Sequence, residues 1–155
     1  MTITFLGHSF VSSRIKIKKA VNEQMLNNRS KHESVLCYLG GYGDFDEICA
    51  AACREIKKEY PKLQLIYVTP YFNLSTQKRI KEMINSGPYD DSIFPPIEKT
   101  PLKFEISKRN EWMIKNSDLI IAYVNHTYGG AYKSLSTAIR MKKKILNINE
   151  YSENK

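Results

Sequence analysis

Short apolar runs alternate with amphipathic segments along the whole chain, and no internal repeat interrupts the pattern. The runs are continuously apolar, which is typical of strands that are covered on both faces. They predict strands over residues 3–6, 35–39, 63–68, 119–124 and 145–148. The amphipathic segments predict helices over about 14–27, 46–58, 75–85, 106–115 and 132–143.

This alternation of strand and helix predicts a parallel sheet, because parallel neighbours need a crossover connection between them. We expect one doubly wound, Rossmann-like α/β domain with about five parallel strands in the order 3-2-1-4-5 and helices on both faces. The domain is expected over residues 1–150, with 151–155 as a C-terminal tail.

Residues 86–101 break the alternation, since they are rich in turn-forming residues and predict an irregular segment. We expect the protein to form a homo-oligomer, and we expect this segment to be either a lid over a site or an oligomer contact. The residues of interest in it are Tyr89, Asp90, Asp91 and Phe94.

Composition narrows the class of protein. A chain of 155 residues with 42% hydrophobic and 26% charged residues indicates a soluble globular protein. No apolar run approaches the ~18 residues of a membrane span, so we expect no membrane partner and a cytoplasmic location. Cys37, Cys49 and Cys53 lack metal-ligand spacing and are expected to be buried thiols. We predict neither a metal nor a cofactor.

The net charge of +8 could attract phosphates. The lysines are dispersed, however, and no motif interleaves aromatic with basic residues. A solvated surface is therefore favoured over a nucleic-acid interface, which stays the weaker alternative.

Three glycine-containing loops should meet at the carboxyl edge of this sheet, where ligands bind in such folds. They are "GHSF" at 7–10, "GGYGDFD" at 40–46 and "NHTYGGAY" at 125–132. Glycine permits close approach of the backbone, and a following helix offers unpaired N–H groups, so the loops predict a phosphate cradle. The helix that carries Arg109 begins at the same edge, where an arginine could contact a phosphate bidentately.

The segments "GGYGDFD", "SKRNEWMIKNSDLIIAYV" and "YGGAYKSLSTAIRMKKKILNI" resemble the SLOG superfamily of Rossmann-like proteins. The chain is most similar to the YpsA-like branch, which is related to the Lonely Guy and DprA proteins. The resemblance implies a pocket for a nucleotide or a nucleotide-derived ligand. The matching residues are Gly40, Gly41, Asp46, Arg109, Asn110, Gly129 and Gly130.

One departure concerns catalysis. The Lonely Guy hydrolases carry a glutamate where this chain has Ser136, which puts phosphoribohydrolase activity by their mechanism in doubt. Asp46 and Glu47 are the candidate catalytic carboxylates, although acids beside a helix N-terminus also serve as caps.

The leading hypothesis is a binding protein for a nucleotide or nucleotide-derived small molecule that acts as a sensor, a carrier or a sequestering protein. The main alternative is a nucleotide N-glycosidase or phosphoribohydrolase-like enzyme, and the weaker one is a DNA-binding protein. The expected ligand-binding residues are Gly7, His8, Ser9, Gly40, Gly41, Tyr42, Asp46, Arg109, Asn110, Gly129 and Gly130.

Overall fold

The computed structural model describes residues 1–28 and 34–148. The tail predicted at 151–155 lies outside the described residues. The strands are β1 (Thr2–Gly7), β2 (Val35–Leu39), β3 (Leu63–Val68), β4 (Asp91–Ile93), β5 (Leu119–Tyr123) and β6 (Lys144–Asn147). The helices are α1 (Arg14–Asn27), α2 (Asp44–Glu59), α3 (Leu74–Ser86), α4 (Glu105–Lys115) and α5 (Gly129–Arg140), with a short 3-10 turn at Leu102–Phe104.

All the described strands form one parallel sheet in the order β4-β3-β2-β1-β5-β6. The five predicted strands lie in the relative order expected for a Rossmann-like fold, but the predicted count of five is wrong. The additional strand, β4, has only three residues and pairs with Ile66, Tyr67 and Val68 of β3. A short edge strand that begins on an aspartate has no apolar run by which the sequence could predict it.

Side chains that alternate along the central strands build a core on each face of the sheet. Ile3 and Phe5 face α1, α2 and α3, whereas Leu6 faces α4 and α5. The neighbouring strands divide in the same way, so the sheet is covered by helices on both faces. The continuous apolar runs of the sequence arise from this double burial.

The three cysteines confirm the expectation of buried thiols, since Cys37, Cys49 and Cys53 are free and completely covered on the α1 and α2 face. No helix within the described residues is long and apolar enough to cross a membrane.

The segment at 86–101 is partly structural. Tyr89 is buried in the core, and Asp90 accepts a hydrogen bond from the backbone of Leu65 at 2.8 Å and forms an ion pair with Lys57. Phe94 packs against Phe72 with ring centroids 5.2 Å apart. The lid and oligomer roles of the segment stay predictions.

Two helix starts differ from the prediction in a way that matters for the site. α2 begins at Asp44 and α5 begins at Gly129, in both cases earlier than expected. The second glycine pair therefore lies in the first turn of a helix.

Candidate functional site

A large cleft of about 1010 Å³ opens along the carboxyl edge of the central strands. Loops that follow β1, β2, β3 and β5 form its walls, as expected for ligand sites in parallel sheets. The structure brings together in its lining all the residues predicted to bind a ligand: Gly7, His8, Ser9, Gly40, Gly41, Tyr42, Asp46, Arg109, Asn110, Gly129 and Gly130.

Glu47 is the exception among the predicted site residues, because it is not part of the lining. Its carboxylate is exposed and accepts a hydrogen bond from Arg14 at 3.0 Å. Glu47 does not reach the cleft, because neighbouring residues in the first turn of α2 project to different sides of the helix. Of the two candidate catalytic carboxylates, Asp46 lines the cleft and Glu47 does not, and a catalytic role for either stays a prediction.

At the junction of β2 and α2, backbone amides donate to carbonyl groups of the loop that follows β1. The backbone N–H of Asp44 donates to the Ser9 carbonyl at 2.8 Å, and that of Phe45 donates to the His8 carbonyl at 3.4 Å. Gly43 has a φ of 89°, and a Cβ there would lie 2.6 Å from the Ser9 α-carbon. The two loops are thus closely packed, and the start of α2 is not an open phosphate cradle.

The start of α5 is different. The backbone N–H groups of Gly129, Gly130 and Ala131 have no acceptor among the described residues, and Tyr128 provides no side-chain cap. Gly129 has a φ of 86°, which favours glycine, and no atom lies within 4 Å of a Cβ built on Gly130. Unpaired amides and the positive end of the helix dipole therefore lie at the lining of the cleft.

Arg109 reaches the cleft from α4 and is only 5% exposed. Its Nη1 donates to the carbonyl oxygens of Val68 at 2.8 Å and Gly40 at 3.2 Å. Burial lowers the pKa of the guanidinium, and the nearby Asp46 carboxylate opposes that shift. Arginine keeps its charge under these conditions, so the group joins the ends of β2 and β3 as a cation.

Two further hydrogen bonds connect Arg109, through Asn110, to Ser134 on α5. Arg109 Nε donates to Asn110 Oδ1 at 2.8 Å, and Asn110 Nδ2 donates to Ser134 Oγ at 3.3 Å. Within the described chain, Nη2 is the one guanidinium nitrogen of Arg109 without a hydrogen-bond acceptor, and it can donate to a ligand.

Asp46 is partly buried in the first turn of α2. One carboxylate oxygen accepts the backbone N–H of Tyr42 at 3.0 Å. Burial raises the pKa of Asp46 to about 6, while the amides of Tyr42 and Gly41 and the charge of Arg109 act in the opposite direction. A carboxyl group with this pKa can accept a hydrogen bond from a ligand hydroxyl or exchange a proton near neutral pH.

His8 lines the cleft beside β5. Its Nε2 accepts the backbone N–H of Asn125 at 3.0 Å, which requires a neutral ring. Burial, and then the nearby His126, lower the pKa of His8. The His126 ring stacks between His8 and Tyr128, with centroids 3.8 Å and 3.9 Å apart. These rings form a flat aromatic wall next to the start of α5.

The wall of the cleft that follows β3 was not predicted from the sequence. Tyr67, Pro70, Tyr71 and Arg79 line the cleft there, and Arg79 Nη2 donates to the Tyr67 hydroxyl at 3.3 Å. The loop has no glycine, and only its position beside β2 in the predicted strand order could have indicated it. Asn125, His126, Tyr128 and Ser134 were also missed as lining residues, although they lie in or near a predicted loop.

Comparison with known families identifies the family of this chain. The family model YpsA, described as the YspA SLOG family, matches residues 11–152. The chain belongs to this SLOG family. The resemblance carried by the two glycine motifs and by Arg109 and Asn110 is therefore confirmed at the level of the family.

A related sequence is a UPF0398 protein of Brevibacillus brevis, which is 25% identical over 128 residues. The match covers 77% of this chain and 65% of the relative, so this chain spans just under two thirds of the relative's length.

Two solved structures share the fold. DNA processing protein A from Helicobacter pylori, described for its single-stranded DNA binding mode, has a TM-score of 0.58 at 19% identity. That similarity covers 94% of this chain and 63% of the DNA processing protein. The structural genomics target TM1055 has a TM-score of 0.58 at 13% identity, with 93% of this chain and 71% of the target covered. At these identities the similarity shows the fold alone.

Proposed function

We propose that the cleft binds a nucleotide or a nucleotide-derived small molecule, with a phosphate on the first turn of α5. The observation that carries this proposal is the set of unpaired amides at Gly129, Gly130 and Ala131, three residues that line the cleft. Phosphates bind at such helix starts because several N–H donors and the helix dipole act together.

The other groups of the cleft suit the rest of a nucleotide. Asp46 can accept hydrogen bonds from ribose hydroxyls, and Arg109 Nη2 can donate to a ligand oxygen. The aromatic wall of His8, His126 and Tyr128 lies beside the phosphate position. A protein that binds without reacting would act as a sensor, a carrier or a sequestering protein.

Thermal unfolding with a panel of nucleoside 5′-monophosphates tests the proposal, with the matching nucleosides as controls. A bound ligand at 100 times its Kd stabilises the native state by about 2.7 kcal/mol, which raises the Tm by roughly 5–10 °C in a chain of this size. We expect Gly130→Val to lose this shift while its unliganded Tm stays near that of the wild type. A shift that is unchanged in Gly130→Val, or equal for nucleosides, would contradict the proposal.

An enzyme that cleaves an N-glycosidic bond is the second candidate, because Asp46 lies in the cleft with a pKa of about 6. A carboxyl group in this range can act as a general acid or base near neutral pH. Chromatography of nucleotides incubated with the protein separates the two functions. We expect no free base, and release of base that disappears in Asp46→Asn would establish the enzyme.

Single-stranded nucleic acid is the third candidate. Exposed aromatic residues line the cleft, with Phe10, Tyr42 and Tyr128 each at least 69% exposed, and such rings can stack with bases. The net charge of +8 adds a general attraction for phosphates. If the cleft serves small ligands, oligonucleotide binding should fall steeply between 50 and about 200 mM salt. Tight binding that persists at the higher salt would favour this candidate.

A further inference from the structure

The wall of the cleft that follows β3 carries cationic and hydroxyl groups. A single phosphate on the first turn of α5 would not contact all of these groups. Arg79 is exposed on α3, lines the cleft and is held by the Tyr67 hydroxyl at 3.3 Å. Tyr71 lies in the same wall, and the buried Arg109 also lines the cleft, where its Nη2 has no hydrogen-bond acceptor among the described residues. Two arginines and two tyrosines therefore lie together at the ends of β2 and β3.

The charge at this end of the cleft is positive. Among the described residues, Asp46 is the one acidic residue that lines the cleft, and its carboxylate already accepts the backbone N–H of Tyr42. Both arginines are permanently charged, so the cluster retains an excess of one positive charge even when Asp46 is ionised. Arginine and tyrosine together provide the N–H and O–H donors that recognise phosphate oxygens.

The order of the strands separates Arg79 and Tyr67 from the start of α5, whereas Arg109 lies between them, since its hydrogen bonds reach β2, β3 and, through Asn110, α5. β3 and β5 are separated by β2 and β1, which makes three strand spacings, or about 14 Å. One phosphate cannot contact both ends of the cleft. The cleft volume of about 1010 Å³ is at the upper end of the range for small-molecule sites, so a longer ligand has room.

We propose that Arg79, Arg109, Tyr67 and Tyr71 form a second phosphate subsite. The ligand then carries two phosphoryl groups, one bound at each end of the cleft. This inference rests on the proposed function, since the first phosphate is the one on α5. The second phosphoryl group has two chemical sources, which are a short oligonucleotide and a polyphosphate chain between two nucleosides.

Calorimetric titration of three probes tests the subsite: nucleoside 5′-monophosphates, 5′-phosphorylated trinucleotides and dinucleoside tetraphosphates. At least one of the two longer probes should bind tenfold or more tightly than the monophosphate, and the one that does identifies the source. Arg79→Gln should remove this gain and leave monophosphate affinity unchanged. Lys78→Gln is the matched control, because it removes an exposed charge from the adjacent position of α3.

The possible failures are distinguishable. Monophosphate binding without any gain for the longer probes, or a gain that survives in Arg79→Gln, overturns the second subsite and leaves the proposed function intact. Failure of all three probes to bind overturns both. An equal effect of Lys78→Gln and Arg79→Gln would show general electrostatic attraction and would also overturn the subsite.

Discussion

The guanidinium of Arg109 lies directly against Gly40. Arg109 Nη1 donates to the Gly40 carbonyl at 3.2 Å, and a Cβ on Gly40 would lie only 2.8 Å from Arg109 Cζ. The glycine after β2 is therefore required by the arginine from α4. A residue that sequence reasoning places in a phosphate loop has a structural role in this contact.

We predict that Gly40→Ala destabilises the protein by about 1–3 kcal/mol, because the buried guanidinium must move away from the added methyl group. Gly130→Ala is the matched control, since its Cβ would contact nothing and alanine favours the helix. Urea unfolding of both variants gives the free energies. Equal losses in the two variants would refute the contact as the cause.

Arg109→Lys should lower the free energy of unfolding by about 1–3 kcal/mol. A lysine keeps the charge, but it lacks the planar group that donates at once to Gly40, Val68 and Asn110. The urea midpoint should fall while the m-value stays constant. Lys108→Gln, which affects an exposed pair with Glu111, should change the stability by less than about 0.5 kcal/mol. A comparable loss in this control would contradict the assignment.

The raised pKa of Asp46 predicts how the free energy of unfolding depends on pH. The carboxyl group titrates near 6 in the folded state and near 3.8 when unfolded, so the native state binds more protons between these values. Its contribution to stability is complete below pH 3.8 and falls as the pH rises to about 6, by at most ~3 kcal/mol. The stability of the wild type relative to Asp46→Asn should therefore decrease from pH 4 to 6.5. Urea unfolding across this range measures the difference, and a constant difference would show that Asp46 titrates normally.

The fold could be predicted largely because the central strands are covered on both faces. Continuous apolar runs at β1, β2, β3 and β5 follow directly from that burial, and parallel pairing follows from the intervening helices. β4 could not be predicted, because its three residues are held by pairing with β3 and not by an apolar run of their own.

The position of the site could be predicted from the sequence. Which of its backbone amides already donate to protein carbonyls could not. Strand order brings the glycine loops to one edge, and both glycine pairs line the cleft. Which pair has free amides depends on tertiary contacts: Ser9 and His8 carbonyls occupy the start of α2, whereas nothing described occupies the start of α5. The β3 wall with Arg79 was missed because it lacks a glycine motif.

Amide NMR can test directly whether a ligand phosphate rests on the first turn of α5. In a titration of the ¹⁵N-labelled protein with nucleoside 5′-monophosphates, we predict the largest shift changes at the amides of Gly129, Gly130 and Ala131. Asp44 and Phe45 should change little, because their amides already donate to protein carbonyls. Large changes at Asp44 and Phe45 with none at Gly129 and Gly130, or no changes at millimolar nucleotide, would show that no nucleotide phosphate binds at the start of α5.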